Sequence, residues 1–231
     1  MDIVVAPDPS SAAHEAAAWI ARQLRIAVSR RGEASVAFSG GSTPALMLAA
    51  LAEMTVPWEV TSVFQVDERL APDGDPDRNA SLLDVLKPQG PTIRLMPVTA
   101  QDLDAARRRY AASLPDRLDV VHLGVGDDGH TASWPPNDPV IDDSTPVALS
   151  REYLGRVRMT LTVPAVNAAR RRLVLATGTA KASVIERWLL HDHALPVDRV
   201  SRTNTIVVLD ADAAARLPYG QPPPAYRDRH P

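Results

Sequence analysis

Short apolar runs rich in β-branched residues alternate along the chain with longer stretches of helical periodicity. No other feature restricts the fold as much. The strand-like runs are Ile3–Ala6, Ser35–Ser39, Ser62–Val66, Val120–Gly124, Leu173–Thr177 and Thr205–Leu209. Helical patterns occupy Ser11–Arg30, Pro44–Glu53, Ala80–Leu86, Leu103–Leu114 and Ala180–Leu190 between them. Such alternation predicts βαβ units, hence an α/β fold with a mostly parallel sheet and helices on both faces. Several of the strands are nearly all apolar, as strands covered on both sides must be. No linker, repeat or low-complexity block interrupts Met1 to Leu217, so one domain is expected over residues 1–231, with a Pro-rich polar tail from about Pro218.

Charge and composition exclude several function classes. The net charge is -3 and no long Lys/Arg run is present, which argues against nucleic acid as a partner. Arg107-Arg108-Arg109 and Arg170-Arg171-Arg172 are the nearest candidates, and both read as solvent-facing charge. The chain has no cysteine, which removes disulfides, thiolate nucleophiles and cysteine-ligated metals together. The first residues carry neither a basic segment nor a long apolar one, so no signal peptide is read there. No apolar run approaches the roughly 20 residues of a membrane helix. The expectation is a cytoplasmic protein with no membrane partner.

In open parallel sheets ligands bind outside the carboxyl ends of the strands, so the loops after the strands carry the functional signal. The loop Ser39-Gly40-Gly41-Ser42-Thr43-Pro44 precedes a helix. Ser42 or Thr43 is placed to cap it, and Pro44 suits a first turn. A helix start of this kind is either simply well capped or a phosphate cradle, since its free N–H groups and dipole favour an anion. It is not a Walker A loop, for no Gly-Lys-Ser/Thr follows.

The next strand-like run ends in Val66-Asp67-Glu68-Arg69. Three charges there are either solvated or line a polar site, because burying them unpaired is costly. Arg69 could grip a phosphate or hold a carboxylate, and Asp67 could orient a sugar hydroxyl or a base.

The richest stretch is Asp119-Val120-Val121-His122-Leu123-Gly124-Val125-Gly126-Asp127-Asp128-Gly129-His130-Thr131-Ala132-Ser133. Gly124 to Gly129 spells G-x-G-x-x-G, yet two carboxylates would repel a pyrophosphate there, and the position in mid-chain is wrong for a dinucleotide fold. What remains is Asp128 close to His130 on a tight turn, a general-base arrangement, against the plainer reading of a polar turn with a surface histidine. Lys181, in Thr177-Gly178-Thr179-Ala180-Lys181, opposes the dipole of the helix it opens, which suggests an anion nearby. Arg158 is a further candidate cation that spacing alone does not separate from a surface arginine.

Other motifs carry less. Of the six histidines, His14 and His230 are read as inert, and His122 as a satisfied core residue. His191-Asp192-His193 has metal-like spacing but only two imidazoles, so no metal site is assigned. There is no H-E-x-x-H, G-x-S-x-G or EF-hand pattern. Trp19 and Trp188 read as core helix residues, and the four tryptophans are too scattered to make a stacking platform.

Together these loops resemble the 6-phosphogluconolactonase family from about Ile3 to Leu217. The matching blocks are Phe38 to Pro44, Asp67-Glu68-Arg69 with Asp77 and Asn79, Leu123 to Ser133, Thr160 to Pro164 with Asn167, and Gly178 with Lys181. The resemblance implies a Rossmann-like three-layer αβα sandwich, the fold of sugar-phosphate isomerases and deaminases. It also implies hydrolysis of 6-phospho-D-glucono-1,5-lactone, the second step of the oxidative pentose phosphate pathway. On that reading the phosphate sits on Gly40, Gly41, Ser42 and Thr43, near Arg69, Asn79, Arg158 and Lys181. His130 is the base, Asp128 or Asp67 orients it, and neither metal nor organic cofactor is required.

Glucosamine-6-phosphate deaminase, an aldose–ketose isomerase type, is the alternative. It has tyrosine where Arg69 stands and Ile-Ala-Phe-Asn-Glu-Pro where Thr131-Ala132-Ser133 follows His130. No acidic residue follows His130 here until Asp138. A non-catalytic sugar-phosphate sensor is the third reading, and it lacks the added DNA-binding domain such regulators carry. Trp134-Pro135-Pro136 departs from the lactonase pattern Leu-Phe-Pro-Gly. A monomer is expected, because no exposed apolar stripe asks for a partner.

Overall fold

The computed structural model describes residues 1–218. The Pro-rich tail expected from about Pro218 therefore lies, apart from Pro218 itself, outside the described residues.

Helix α1 (Pro9–Arg31) follows strand β1 (Asp2–Ala6) and shows why the local sequence folds as it does. The Asp8 carboxylate accepts the Ser11 N–H at 2.8 Å, Pro9 fills the first turn, and Gly32 ends the helix in the left-handed region. Small residues at Ala12, Ala13, Ala16, Ala17 and Ala21 let it lie close against the sheet. β2 (Ala34–Phe38), α2 (Ser42–Ala52), β3 (Thr61–Gln65) and a short β4 (Asp67–Arg69) follow. Then come β5 (Thr92–Arg94), α3 (Leu103–Ser113), β6 (Val120–Leu123), β7 (Val147–Leu149) and β8 (Arg158–Leu161). α4 (Val163–Ala168), β9 (Arg171–Ala176), α5 (Ala182–Leu189) and β10 (Thr205–Asp210) complete the described chain.

Seven strands form one sheet in the order β1-β10-β9-β6-β2-β3-β5, and every pairing in it is parallel. Successive residues face opposite layers. Val36, Phe38, Val63, Leu173 and Leu175 pack with α1 and α2. Ala37, Phe64, Val121, Val174 and Val207 pack with α3 and α5. The result is the three-layer αβα sandwich. From β2 the chain winds outward to β3 and β5, then returns to β6 on the other side of β2 and winds towards β9 and β10. The carboxyl ends of β2 and β6 thus flank the switch point where such sheets open a crevice.

All six expected strands form, within a residue or two of their ends. Other expectations need correction. The helical pattern at Ala80–Leu86 becomes a run of 3₁₀ turns, Asn79–Gln89, closed by Pro88 and Gly90. Asp67–Arg69 is not the end of β3 but a strand of its own, antiparallel to β8, which also pairs β7 in a second, three-stranded sheet. Arg172 is buried rather than solvent-facing. Its guanidinium donates to the carbonyls of Asn167 (3.0 Å) and Ala169 (2.9 Å) and to Thr205 Oγ1 (3.0 Å). His122 is in the core as expected but is not satisfied. Among the described residues neither ring nitrogen has a hydrogen-bond partner, and burial pulls its pKa down to about 3, so it is neutral.

Among the described residues no helix is long and apolar enough to cross a membrane.

Candidate active site

Three post-strand segments and the small sheet meet in one cleft of about 250 Å³. Ser39 to Pro44 arrive from β2, Gly124 to Ala132 from β6, Ala176 to Lys181 from β9, and Asp67, Arg69 and Arg158 from the β4–β8 pair. Of the residues read from the sequence as catalytic or phosphate-binding, all line it except Asp128, which stands directly behind His130.

On the β2 side the helix start is built without side-chain caps. Gly41 occupies the cap position and neither Ser42 nor Thr43 caps α2. Thr43 Oγ1 instead lies 2.8 Å from Thr177 Oγ1 and ties α2 to the end of β9. Pro44 has no N–H, so the donors free of intrahelical partners in this first turn are those of Ser42 and Thr43. Gly40 is required for a different reason. A Cβ there would lie 1.8 Å from Asn79 Oδ1, so Asn79 packs directly on the loop's backbone.

Asn79 is held from both sides. Its Nδ2 donates to the Asp67 carbonyl at 3.0 Å, and its Oδ1 accepts from Arg69 Nη1. Arg69 Nη1 also donates to the Asp77 carbonyl at 2.8 Å. Glu68 points away from the cleft and is fully buried. It accepts from Gln65 Nε2 and the N–H groups of Arg69, Asn79 and Ala80, all at 2.8–2.9 Å, and pairs with Arg78 Nε at 3.1 Å. The three charges of Asp67-Glu68-Arg69 therefore divide, two towards the cleft and one into a structural network.

The glycine turn after β6 is closed by its own backbone. The Gly126 N–H donates to the His130 carbonyl at 2.8 Å and the Gly129 N–H to the Gly126 carbonyl at 3.0 Å. A Cβ on Gly126 would lie 2.0 Å from His130 Nδ1, so glycine is what lets the imidazole lie across the turn. Asp128 Oδ1 sits 2.6 Å from His130 Nδ1 and accepts the His130 N–H at 3.1 Å. Tyr153, which sequence reasoning did not find, donates its hydroxyl to Asp128 Oδ2 at 2.7 Å. Desolvation pushes the Asp128 carboxyl up, but the bonds from Tyr153 and His130 outweigh it and hold it below the usual carboxylate range.

Asp67 pairs with Ser133 instead, accepting its hydroxyl at 2.6 Å. The carboxylate that faces His130 is therefore Asp128, a choice the sequence left open. Burial raises the Asp67 pKa, and the Ser133 hydroxyl and the charges of Arg69 and Arg158 only partly oppose it. A folded pKa above the unfolded one favours folding below the unfolded pKa, and that contribution is lost as pH rises through the folded value. Asp67→Asn is accordingly expected to raise the unfolding midpoint at neutral pH while lowering activity. The gain, about 1 kcal/mol, should vanish at acid pH, where both side chains are neutral. Urea denaturation at both pH values checks this, and a pH-independent difference would count against it.

Arg158 is 6% exposed, and its Nε has no hydrogen-bond partner among the described residues. Lys181 pairs with Asp127, so the anion its position suggested is in part a carboxylate of the glycine turn. Asn167 serves the fold, donating to the Arg199 carbonyl and accepting the Ser201 N–H, each at 2.8 Å. Trp134 is fully buried, donates Nε1 to the Leu161 carbonyl at 2.8 Å and is not part of the cleft wall. Among the described residues no group of three metal-ligating side chains gathers. His193, from the metal-like triplet, pairs with Asp198 at 2.6 Å.

Comparison with known proteins gives the cleft its context. A 6-phosphogluconolactonase of Streptomyces coelicolor is 31% identical, with 96% of this chain and 97% of the relative aligned. The crystal structure of a 6-phosphogluconolactonase from Shewanella baltica superposes with a TM-score of 0.82 at 26% identity, over 91% of this chain and 97% of the other. A monomeric glucosamine-6-phosphate deaminase superposes with a TM-score of 0.79 at 18% identity, over 93% and 99%, a likeness of fold alone. Residues 7–209 match the family described as glucosamine-6-phosphate isomerases/6-phosphogluconolactonase. The chain belongs to that family.

Proposed function

We propose that this chain hydrolyses 6-phospho-D-glucono-1,5-lactone to 6-phospho-D-gluconate, the second step of the oxidative pentose phosphate pathway. It acts as a single cytoplasmic domain spanning residues 1–231, as a monomer, without a nucleic-acid or membrane partner. The observation that carries this reading is the Asp128–His130 pair, in contact at 2.6 Å at the edge of a cleft that also holds a helix start and three cations. Curated relatives named 6-phosphogluconolactonase support the choice of lactone over aminosugar.

The phosphate lies on Gly40 to Thr43, where two free N–H groups and the α2 dipole face it. Arg69, Arg158 and Lys181 supply positive charge. His130, holding its Nδ1 proton against Asp128, takes a proton from water through Nε2 as the water oxygen attacks the lactone carbonyl carbon. The tetrahedral intermediate collapses with cleavage of the bond to the ring oxygen, and His130 returns the proton to that oxygen. Stabilising the oxyanion falls to the cleft's cations, because the N–H groups of Gly126 and Gly129 are already used inside the turn.

The test is acid release from lactone generated in situ, followed against spontaneous hydrolysis beside a glucosamine-6-phosphate deamination assay. Ammonia release without lactone turnover would overturn the proposal. Arg69→Ala is expected to raise the KM for the phosphorylated lactone about tenfold or more, with a smaller change in kcat. An unchanged KM would remove Arg69 from the phosphate site.

A further inference from the structure

We propose that Tyr153 is a positioning residue for the Asp128–His130 pair, keeping Asp128 ionised and His130 in the tautomer that presents Nε2 to water. The inference deepens the lactonase reading and rests on it for its kinetic consequences. Its structural content does not depend on the substrate.

The hydroxyl of Tyr153 lies 2.7 Å from Asp128 Oδ2 and 3.4 Å from His130 Nδ1. Its single proton goes to the nearer and charged acceptor. Burial and the neighbouring Asp128 carboxylate push the Tyr153 hydroxyl up to about 12, so it remains a donor. Asp128 then has Oδ2 occupied by Tyr153, while Oδ1 faces both the N–H and the ring Nδ1 of His130. An ionised carboxylate has no proton to give. Nδ1 of His130 must therefore donate at 2.6 Å, which leaves Nε2 with its lone pair.

The ring itself is held on two sides. It meets the imidazole edge-on, with centroids 5.4 Å apart, and the Arg158 guanidinium carbon lies 5.4 Å from the Tyr153 centroid on the cleft side. The turn that carries it is unusual. Tyr153 and Arg156 exchange backbone hydrogen bonds at 3.0 and 3.3 Å around Leu154 at φ 51° and Gly155 at φ 75°. Both central residues are left-handed, as in a tight hairpin turn, although one of them carries a side chain. Leu154 is 74% exposed, so its own packing does not explain the conformation. Arg156 fastens the turn from below, pairing with Asp75 at 3.1 Å. The backbone is held where it delivers the tyrosine hydroxyl.

Tyr153→Phe removes the hydroxyl and keeps the ring. Asp128 then loses a bond that holds its pKa down and takes up a proton at higher pH. The acid limb of the pH–rate profile should move to higher pH. kcat should fall roughly three- to tenfold, with KM within about twofold of the wild type. Independently of any substrate, nitrogen NMR of the His130 ring should show the Nδ1–H tautomer in the wild type and a mixture in Tyr153→Phe. Leu154→Gly keeps the turn and the hydroxyl and should retain the wild-type profile.

An unmoved acid limb together with an unchanged tautomer would overturn the inference, even if kcat fell, because lost packing alone would account for that. The expected NMR change without lactone turnover by the wild type would support Tyr153's role while removing the substrate assignment.

Discussion

His130→Ala should lower lactone turnover by roughly two to four orders of magnitude, the span that a positioned general base contributes. The fold should survive. The side chain is only partly buried, and the turn beneath it is closed by backbone bonds from Gly126 and Gly129 that the substitution leaves in place. KM should change little, since the proposed phosphate site lies elsewhere in the cleft. Residual activity above the spontaneous rate would report the cations and the helix start acting alone. Turnover close to wild type would remove His130 from the reaction, and among the described residues no other imidazole lines the cleft.

Glu68→Ala should give the largest loss of stability. It deletes an anion whose relative exposure is 0%, leaves the buried Arg78 with the exposed Asp73 as its counter-ion, and strands three backbone N–H groups and the Gln65 amide. Breaking one side of a buried ion pair costs about 3–5 kcal/mol. A domain of this size loses about 2–4 °C of melting temperature per kcal/mol, so a drop of about 10 °C is expected. Activity should fall as well, because Glu68 anchors Asn79, which packs on Gly40 and receives Arg69. Glu68→Gln keeps one acceptor and should fall between. Thermal unfolding of both variants measures this, and midpoints within a degree or two of wild type would show the network to be dispensable.

The central sheet was legible because its information is local. Each buried parallel strand is a run such as Val36-Ala37-Phe38 or Leu173-Val174-Leu175, and the helices between are long enough to show their period. The second sheet was not legible. Asp67–Arg69 and Arg158–Leu161 are three and four residues long, the first wholly charged, and they are strands only because they pair across about 90 positions of chain. Arg172 misled for the same reason. Its place in an arginine triplet suggests solvent, whereas its acceptors are carbonyls at the end of α4 and in the loop before β10, with the Thr205 hydroxyl. His122 was read as core from strand alternation, but that its nitrogens have no partner among the described residues depends on what surrounds β6 in space.

Much the same division runs through the cleft. Residue types and short spacings placed His130 beside Asp128, the two glycines before α2, and a cation at Lys181, because each of those features lies within a single loop. Which carboxylate serves His130, that Glu68 turns inward while Asp67 and Arg69 turn outward, that Lys181 meets Asp127, and that Tyr153 stands behind the pair were decided by tertiary structure. These are contacts between chain segments 3 to 66 positions apart, or choices between faces of one short strand, and their energies exist only once the layers have packed. The sequence by itself determined the layered α/β framework and the loops at which chemistry could occur, because periodicity and turn chemistry act over neighbouring residues. Which side chains meet in the cleft was decided by burial and by the pairing of two short strands that no local pattern encodes.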